Sequence, residues 1–196
     1  MSQPKLLINT HKLNLIIKRF ALQSIEMHGD FSQSAIIGLQ PRGVNLAKKL
    51  ADFITEIQPE NSLKYGELDH TFFRDDIGRG EIFMPKKSNI NFSTENLNII
   101  LVDDVLYTGR SVRASIDALM SFGRPKQVEL MVLVDRRFQR ELPISPNYVG
   151  VVVDSRSTGE HVKVEWTDEQ QIFHIVKFLD VFLSFFLACT KLSINW

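Results

Sequence analysis

Apolar and polar residues alternate along this chain with two periods, and the switches between them mark its elements. After Thr10, a suitable helix N-cap, Leu13, Ile16, Ile17, Phe20, Ala21 and Ile25 recur at helical spacing as far as Gly29. Ala35 to Leu39 reads as a short buried strand, followed by the turn Gln40-Pro41-Arg42-Gly43. Residues 44–56 set Leu46, Leu50 and Phe53 on one helical face and leave Lys48 and Lys49 outside. Residues 63–75 have strand character with an imperfect period of two. From Asp76 to about Ser93 the chain is polar and aperiodic and carries Gly78, Gly80 and Pro85, which predicts a mobile functional loop. Asn98 to Val102 is the clearest buried strand, and a helix from about Ser111 to Phe122 stops at Gly123 and Pro125. Val128 to Val134, Tyr148 to Val153 and, more weakly, His161 to Trp166 supply further strands. This alternation predicts an α/β fold with a mostly parallel central sheet flanked by helices.

The pattern changes near the C-terminus. Between Ile172 and Cys189 only His174, Lys177, Asp180 and Ser184 are polar. A membrane span there would be marginal in length and charged in its first half. The helical spacing of the four polar residues favours an amphipathic helix docked on the domain or on a partner subunit, and a terminal extension peculiar to this chain is the third reading. The expected organisation is therefore a domain over 1–166 and an atypical apolar tail over 167–196.

Composition narrows the functional classes. The 196 residues carry 23 Lys plus Arg and 23 Asp plus Glu, so no global basic field attracts nucleic acid, and any such contact needs a local patch. Cys189 is the single cysteine, which excludes an internal disulfide or a cysteine zinc cluster. His11, His28, His161 and His174 show no metal-ligand spacing, and His70, in a strand-like segment, reads as a packed or paired histidine rather than a catalytic base. The start, Met1-Ser2-Gln3-Pro4-Lys5, lacks the apolar core of a signal peptide, which predicts a cytoplasmic protein.

The chemistry concentrates in Ile99-Ile100-Leu101-Val102-Asp103-Asp104-Val105-Leu106-Tyr107-Thr108-Gly109-Arg110-Ser111. A buried strand runs into two adjacent carboxylates and then into a small-residue turn that opens a helix. Ligands of parallel sheets bind at the carboxyl ends of the strands. The Thr108-to-Ser111 turn aims free N–H groups, a helix N-terminus and hydroxyls at one spot, an arrangement suited to a phosphate monoester. Asp103 and Asp104 repel phosphate, but they can accept hydrogen bonds from a sugar diol or act through Mg²⁺. Phosphate at one end and hydroxyls at the other describe a ribose 5-phosphate. An isolated Asp-Asp pair would instead be a turn cap at the end of a core strand.

The whole string resembles the phosphoribosyl pyrophosphate (PRPP) motif of type I phosphoribosyltransferases. Its wording is most similar to that of the bacterial bifunctional pyrimidine operon regulators with uracil phosphoribosyltransferase activity. Gly38 to Val44 resembles the pyrophosphate loop, Gly66 to Asp76 the segment entering the flexible active-site loop, and Val132 to Arg136, Arg140 to Ile144 and Tyr148 to Gly150 the base-binding hood. The resemblance covers about residues 10–165. Pro41 stands where the family usually has Thr, which removes a hydroxyl without loosening the turn.

The resemblance implies transfer of ribose 5-phosphate from PRPP to uracil, giving UMP and pyrophosphate through an oxocarbenium-like transition state. It implies Mg²⁺ carried on the substrate rather than by direct side-chain ligands. Asp103 and Asp104 would hold the ribose, Thr108 to Ser111 the 5-phosphate, and Arg42 and Gly43 the pyrophosphate. Arg74 would close over the reacting groups, and Val134, Asp135 and Arg136 would lie by the base. It also implies a homodimer or higher homo-oligomer and UMP-dependent binding of pyrimidine operon leader RNA. Candidate RNA contacts are Lys12, Lys18, Arg19, Lys48, Lys49, Arg136, Arg137, Arg140 and Arg156, most of which could equally be solvated charges. A purine phosphoribosyltransferase, or a nucleotide-sensing regulator with weak catalysis, is the alternative reading.

Overall fold

A computed structural model describes residues 5–75, 85–154, 160–166 and 173–179. The elements run in the order β1 (Lys5–Leu6), α1 (Thr10–His28), β2 (Ser34–Leu39), α2 (Gly43–Ile57), β3 (Lys64–Leu68), β4 (Asn98–Leu106), α3 (Arg110–Leu119), β5 (Gln127–Arg136), β6 (Tyr148–Val153), β7 (Glu160–Trp166) and β8 (Phe173–Leu179). They fall into two units, residues 14–154 and a second unit of residues 1–13 with 155–196. The expected boundary at residue 166 thus lies inside the second unit.

In the first unit five parallel strands pair in the order β3-β2-β4-β5-β6. All six residues of β2 are buried, as befits a strand covered on both faces, which explains its unbroken apolar run. On one face, α3 supplies Val112, Ala118 and Leu119 to a core with Ile37, Leu39, Ile99, Leu101, Leu130 and Val132. The opposite face receives α2 at Gly38 and α1 at Gly150. A Cβ on Gly38 would come within 2.8 Å of both Ala47 Cβ and Val44 Cα, and one on Gly150 within 3.1 Å of Ile16. The α/β architecture with a parallel sheet flanked by helices is therefore as expected.

Three local expectations change. First, β3 ends at Leu68, where strand character was expected to run to residue 75. The Asp69 carboxylate accepts the Thr71 N–H at 2.6 Å, and this side-chain turn competes with the ladder and starts a 3-10 turn over Thr71–Phe73. Second, the loop expected over 76–93 is described only from residue 85, and that part is tied down. Asn89 exchanges backbone hydrogen bonds of 2.8 and 3.0 Å with Glu67, while Ile90 and Phe92 pack on the core. Third, β4 continues to Leu106, so both aspartates sit on the strand itself rather than after it.

In the second unit, β8 pairs antiparallel with both β7 and β1. Residues 173–179 are thus a strand where the spacing of polar residues predicted a helix. Phe173, Ile175, Val176 and Phe178 are aromatic or β-branched, types that lose rotamer freedom in a helix and suit a pleated surface. The His174–Lys177 interval alone cannot separate the two periods over so short a stretch. The remainder of the apolar tail, including Cys189, lies outside the described residues. No helix among the described residues is long and apolar enough to cross a membrane.

Candidate active site

The carboxyl ends of the parallel strands carry a cleft of ≈ 500 Å³. Its floor is Asp103, Val105 and Leu106 at the end of β4; Tyr107 to Ser111 continue the wall into α3, and Arg74, Asp75, Val112 and Glu141 complete it. Nine of the sequence-derived site residues meet here: Arg74, Asp103, Val105, Leu106, Tyr107, Thr108, Gly109, Arg110 and Ser111.

The turn into α3 depends on Gly109, which has φ +92°, a left-handed conformation that a Cβ would strain. It serves as the N-cap without a side-chain cap, so the first-turn N–H groups of α3 point toward the cleft with no intrahelical acceptors. The Thr108 hydroxyl accepts from the Arg110 N–H at 3.4 Å, and the Ser111 hydroxyl accepts from Arg74 Nη1 at 3.2 Å. The result is an anion cradle of backbone amides, hydroxyls and a guanidinium.

The aspartates occupy different settings. Strand alternation sends Asp103 to the face that lines the cleft, and Asp104 lies beneath it, 5 % exposed. Asp104 donates its N–H to Asp103 Oδ1 at 2.8 Å, and among the described residues Asp104 Oδ2 has no hydrogen-bond partner. Loss of water pushes the Asp103 carboxyl well above the usual carboxylate range, and the Asp104 charge adds to the rise. Burial also raises Asp104, against the opposing pull of the Arg42 guanidinium. Such a pair is poised to accept hydroxyl donors or a cation.

Arg42 thus acts on the pair by charge from the mouth of α2. Gly43 sits so close to β4 that a Cβ would fall 2.3 Å from the Val102 carbonyl oxygen and 3.0 Å from Asp103 Cα. Only glycine lets the helix start there. Neither residue lines the cleft, and Ile99 to Val102 are wholly buried as the strand core beneath it.

Val134, Asp135 and Arg136, expected beside a base, are buried at the end of β5 and do not line the cleft. Asp135 forms an ion pair with Arg140, and the Arg136 guanidinium stacks 4.1 Å over the Tyr107 ring. These contacts brace the wall rather than furnish it. Asp75 and Glu141 are charged lining residues that sequence reasoning placed in the loop-entry and hood segments without a role of their own. Both grip Arg110 at 2.6 Å, and nothing local pairs residues 31 and 35 positions away with it.

Among the candidate RNA contacts, Lys12, Lys18, Arg19, Lys48 and Arg137 are exposed and Lys49 is half-buried. Arg19 donates to the Val149 carbonyl at 2.6 Å, and Arg136 and Arg140 are taken up by the wall. Arg156 lies outside the described residues.

Comparison with known proteins agrees with this geometry. Residues 7–169 match the phosphoribosyl transferase domain family. The bifunctional protein PyrR of Desulfosudis oleivorans is 45 % identical over 144 residues, 72 % of this chain and 78 % of that protein. That of Elusimicrobium minutum is 40 % identical, covering 88 % of this chain and 97 % of the relative, and that of Bacillus subtilis 36 %, covering 89 % and 98 %. Among solved structures, a hypoxanthine-guanine phosphoribosyltransferase from Bacillus anthracis superposes with TM-score 0.64 over 89 % of this chain and 99 % of that chain, at 18 % identity. At that identity the likeness speaks for the fold alone. Paired aspartates near the carboxyl end of β4, the Gly109 turn that opens α3, and these matches along most of the chain together mean that it belongs to the PyrR family of bifunctional phosphoribosyltransferase-domain proteins.

Proposed function

We propose that this chain transfers ribose 5-phosphate from PRPP to uracil, yielding UMP and pyrophosphate, and that it regulates a pyrimidine operon through leader RNA. The observation that carries the catalytic reading is the single cleft that joins an anion cradle at Thr108–Ser111 to the Asp103 carboxylate. In this reading the first-turn amides of α3 and the Thr108 and Ser111 hydroxyls hold the 5-phosphate. Asp103 and Asp104 accept the ribose hydroxyls, which fixes the sugar and leaves its anomeric carbon facing the incoming base. Arg42 supplies positive charge beside the departing pyrophosphate, and Arg74 covers the cradle and excludes water. Val134, Asp135 and Arg136 support the base side of the wall through Tyr107 and Arg140.

The site fits a magnesium ion carried by the substrate. Two partly or wholly buried carboxylates, one with an unpartnered oxygen, are offered, and among the described residues no group of three or more His, Cys, Asp or Glu forms a cage. Mg²⁺ characteristically uses one or two carboxylates and completes its shell with water and phosphate oxygens. When bound it neutralises charge on the pyrophosphate. The expected setting is the cytoplasm, and the expected assembly is a homodimer or higher homo-oligomer.

The decisive assay follows pyrophosphate release from PRPP at fixed Mg²⁺ with uracil, hypoxanthine and adenine in parallel. Turnover with uracil alone is expected; turnover with a purine instead would overturn the base assignment. For regulation, an electrophoretic shift of pyrimidine leader RNA should strengthen with UMP and weaken steeply with salt, because with no net charge on the chain the contact rests on local cations such as Lys12, Lys18, Lys48 and Arg137. A shift indifferent to UMP would remove the regulatory reading.

A further inference from the structure

The phosphate turn does not stand alone. The segment Arg140-Glu141-Leu142 lies along it and holds it at successive points. Arg140 Nη1 donates to the Tyr107 carbonyl at 2.6 Å, and the Glu141 and Leu142 N–H groups both donate to the Thr108 carbonyl, at 3.0 and 3.1 Å. The Glu141 carboxylate takes the Arg110 Nε–H at 2.6 Å, and a Cβ on Gly109 would lie 3.4 Å from Leu142 Cβ. Arg140 is anchored in turn by its ion pair with Asp135 at the end of β5.

These contacts change the role of Arg110. Its guanidinium is held between Glu141 and Asp75, each at 2.6 Å, so two carboxylates occupy it before any anion arrives. A guanidinium so engaged is a strut, and the phosphate is left to the amides and hydroxyls whose positions the strut and the strap fix. We propose that Arg140–Leu142 is a strap that sets the shape of the 5-phosphate turn, with Glu141 as its positioning residue acting through Arg110. The inference rests on the reading of this turn as the 5-phosphate site.

Two mechanisms predict opposite signs. A strap that shapes the cradle makes phosphate binding worse when Glu141 is truncated. A carboxylate that merely competes for Arg110 or repels the anion makes binding better when it is removed. The test measures steady-state PRPP and uracil kinetics, calorimetric UMP affinity and thermal midpoint for the parent protein and for Glu141→Ala and Glu141→Gln.

In Glu141→Ala the KM for PRPP and the Kd for UMP should rise about tenfold, while the KM for uracil and kcat stay within about twofold of the parent. Glu141→Gln, which keeps an acceptor for the Arg110 Nε–H, should recover most of that loss. The thermal midpoint should hardly move, since all three side chains of the Arg110 cluster are nearly half exposed and such pairs add little stability. Unchanged or tighter PRPP and UMP binding in Glu141→Ala overturns the strap. An equal loss for PRPP and uracil with a lowered midpoint in both variants also overturns it, in favour of a general packing role. Failure of the parent protein to bind either PRPP or UMP overturns the phosphate-site reading itself and the strap with it.

Discussion

Asp103 and Asp104 illustrate how a short stretch of strand creates chemical tension. Two carboxylates placed next to each other near the carboxyl end of a central strand lose water and repel, so burial and mutual charge drive Asp103 upward in pKa. A folded-state pKa above the unfolded value, near 3.8, means that the native state loses stability as pH rises through the folded pKa, and that below 3.8 the penalty is absent. Asp103→Asn removes the charge while its amide oxygen can still accept the Asp104 N–H. Its thermal midpoint should therefore lie above that of the parent at neutral pH, with the gap closing as pH falls toward 3.8, and melting curves across pH check this. Turnover should drop by at least about a hundredfold, because a group fixed on the reacting sugar is lost. A variant that gains stability while losing activity separates a functional carboxylate from a turn cap, whose removal would cost stability.

At the scale of elements, α2 starts in close contact with β4. Gly43 opens α2 against the Val102 carbonyl at a distance that admits no side chain. Gly43→Ala must displace either the helix start or the strand that carries Asp103, and backbone atoms give way far less readily than side-chain ends. Chemical denaturation should show a loss of about 2 kcal/mol, within the usual range for overpacking. The PRPP KM should rise with it, because Arg42 and Asp103 flank the same contact. Loss of stability without any kinetic change would mean that the strain relaxes away from the site.

Across the whole molecule, the sheet has a chemical end and a structural end. At the opposite edge from the cleft, His28 from α1, Ser34 from β2, Glu129 from β5 and Tyr148 from β6 form one buried network. Tyr148 Oη donates to Glu129 Oε2 at 2.7 Å, His28 Nε2 lies 3.3 Å from the same oxygen, and His28 Nδ1 meets Ser34 Oγ at 2.9 Å. Burial and the Glu129 charge both raise the pKa of the Tyr148 hydroxyl, so it remains a donor well into the alkaline range. Tyr148→Phe leaves a buried carboxylate short of a donor and should cost about 2 kcal/mol in denaturant unfolding. Its PRPP and uracil kinetics should match the parent, since none of these residues reaches the cleft. A kinetic defect at equal stability would show that the two ends of the sheet are coupled.

The sequence by itself determined the parallel α/β core and the Thr108–Ser111 turn, for a physical reason. Strands covered on both faces must be apolar throughout, helices must repeat at their own period, and a left-handed Gly109 before a helix is a local requirement that the Thr-Gly-Arg-Ser string states outright. The paired aspartates were legible from their place at the carboxyl end of a buried strand, where ligands of parallel sheets bind. Only the tertiary structure decided what depends on distant residues. It sent Asp104 to the opposite strand face from Asp103, set the Arg110 guanidinium between Asp75 and Glu141, and buried Arg136 over Tyr107. It also made Phe173–Leu179 a strand, because backbone pairing with β7 and β1 outweighs a helical spacing of polar residues that the segment alone is too short to enforce.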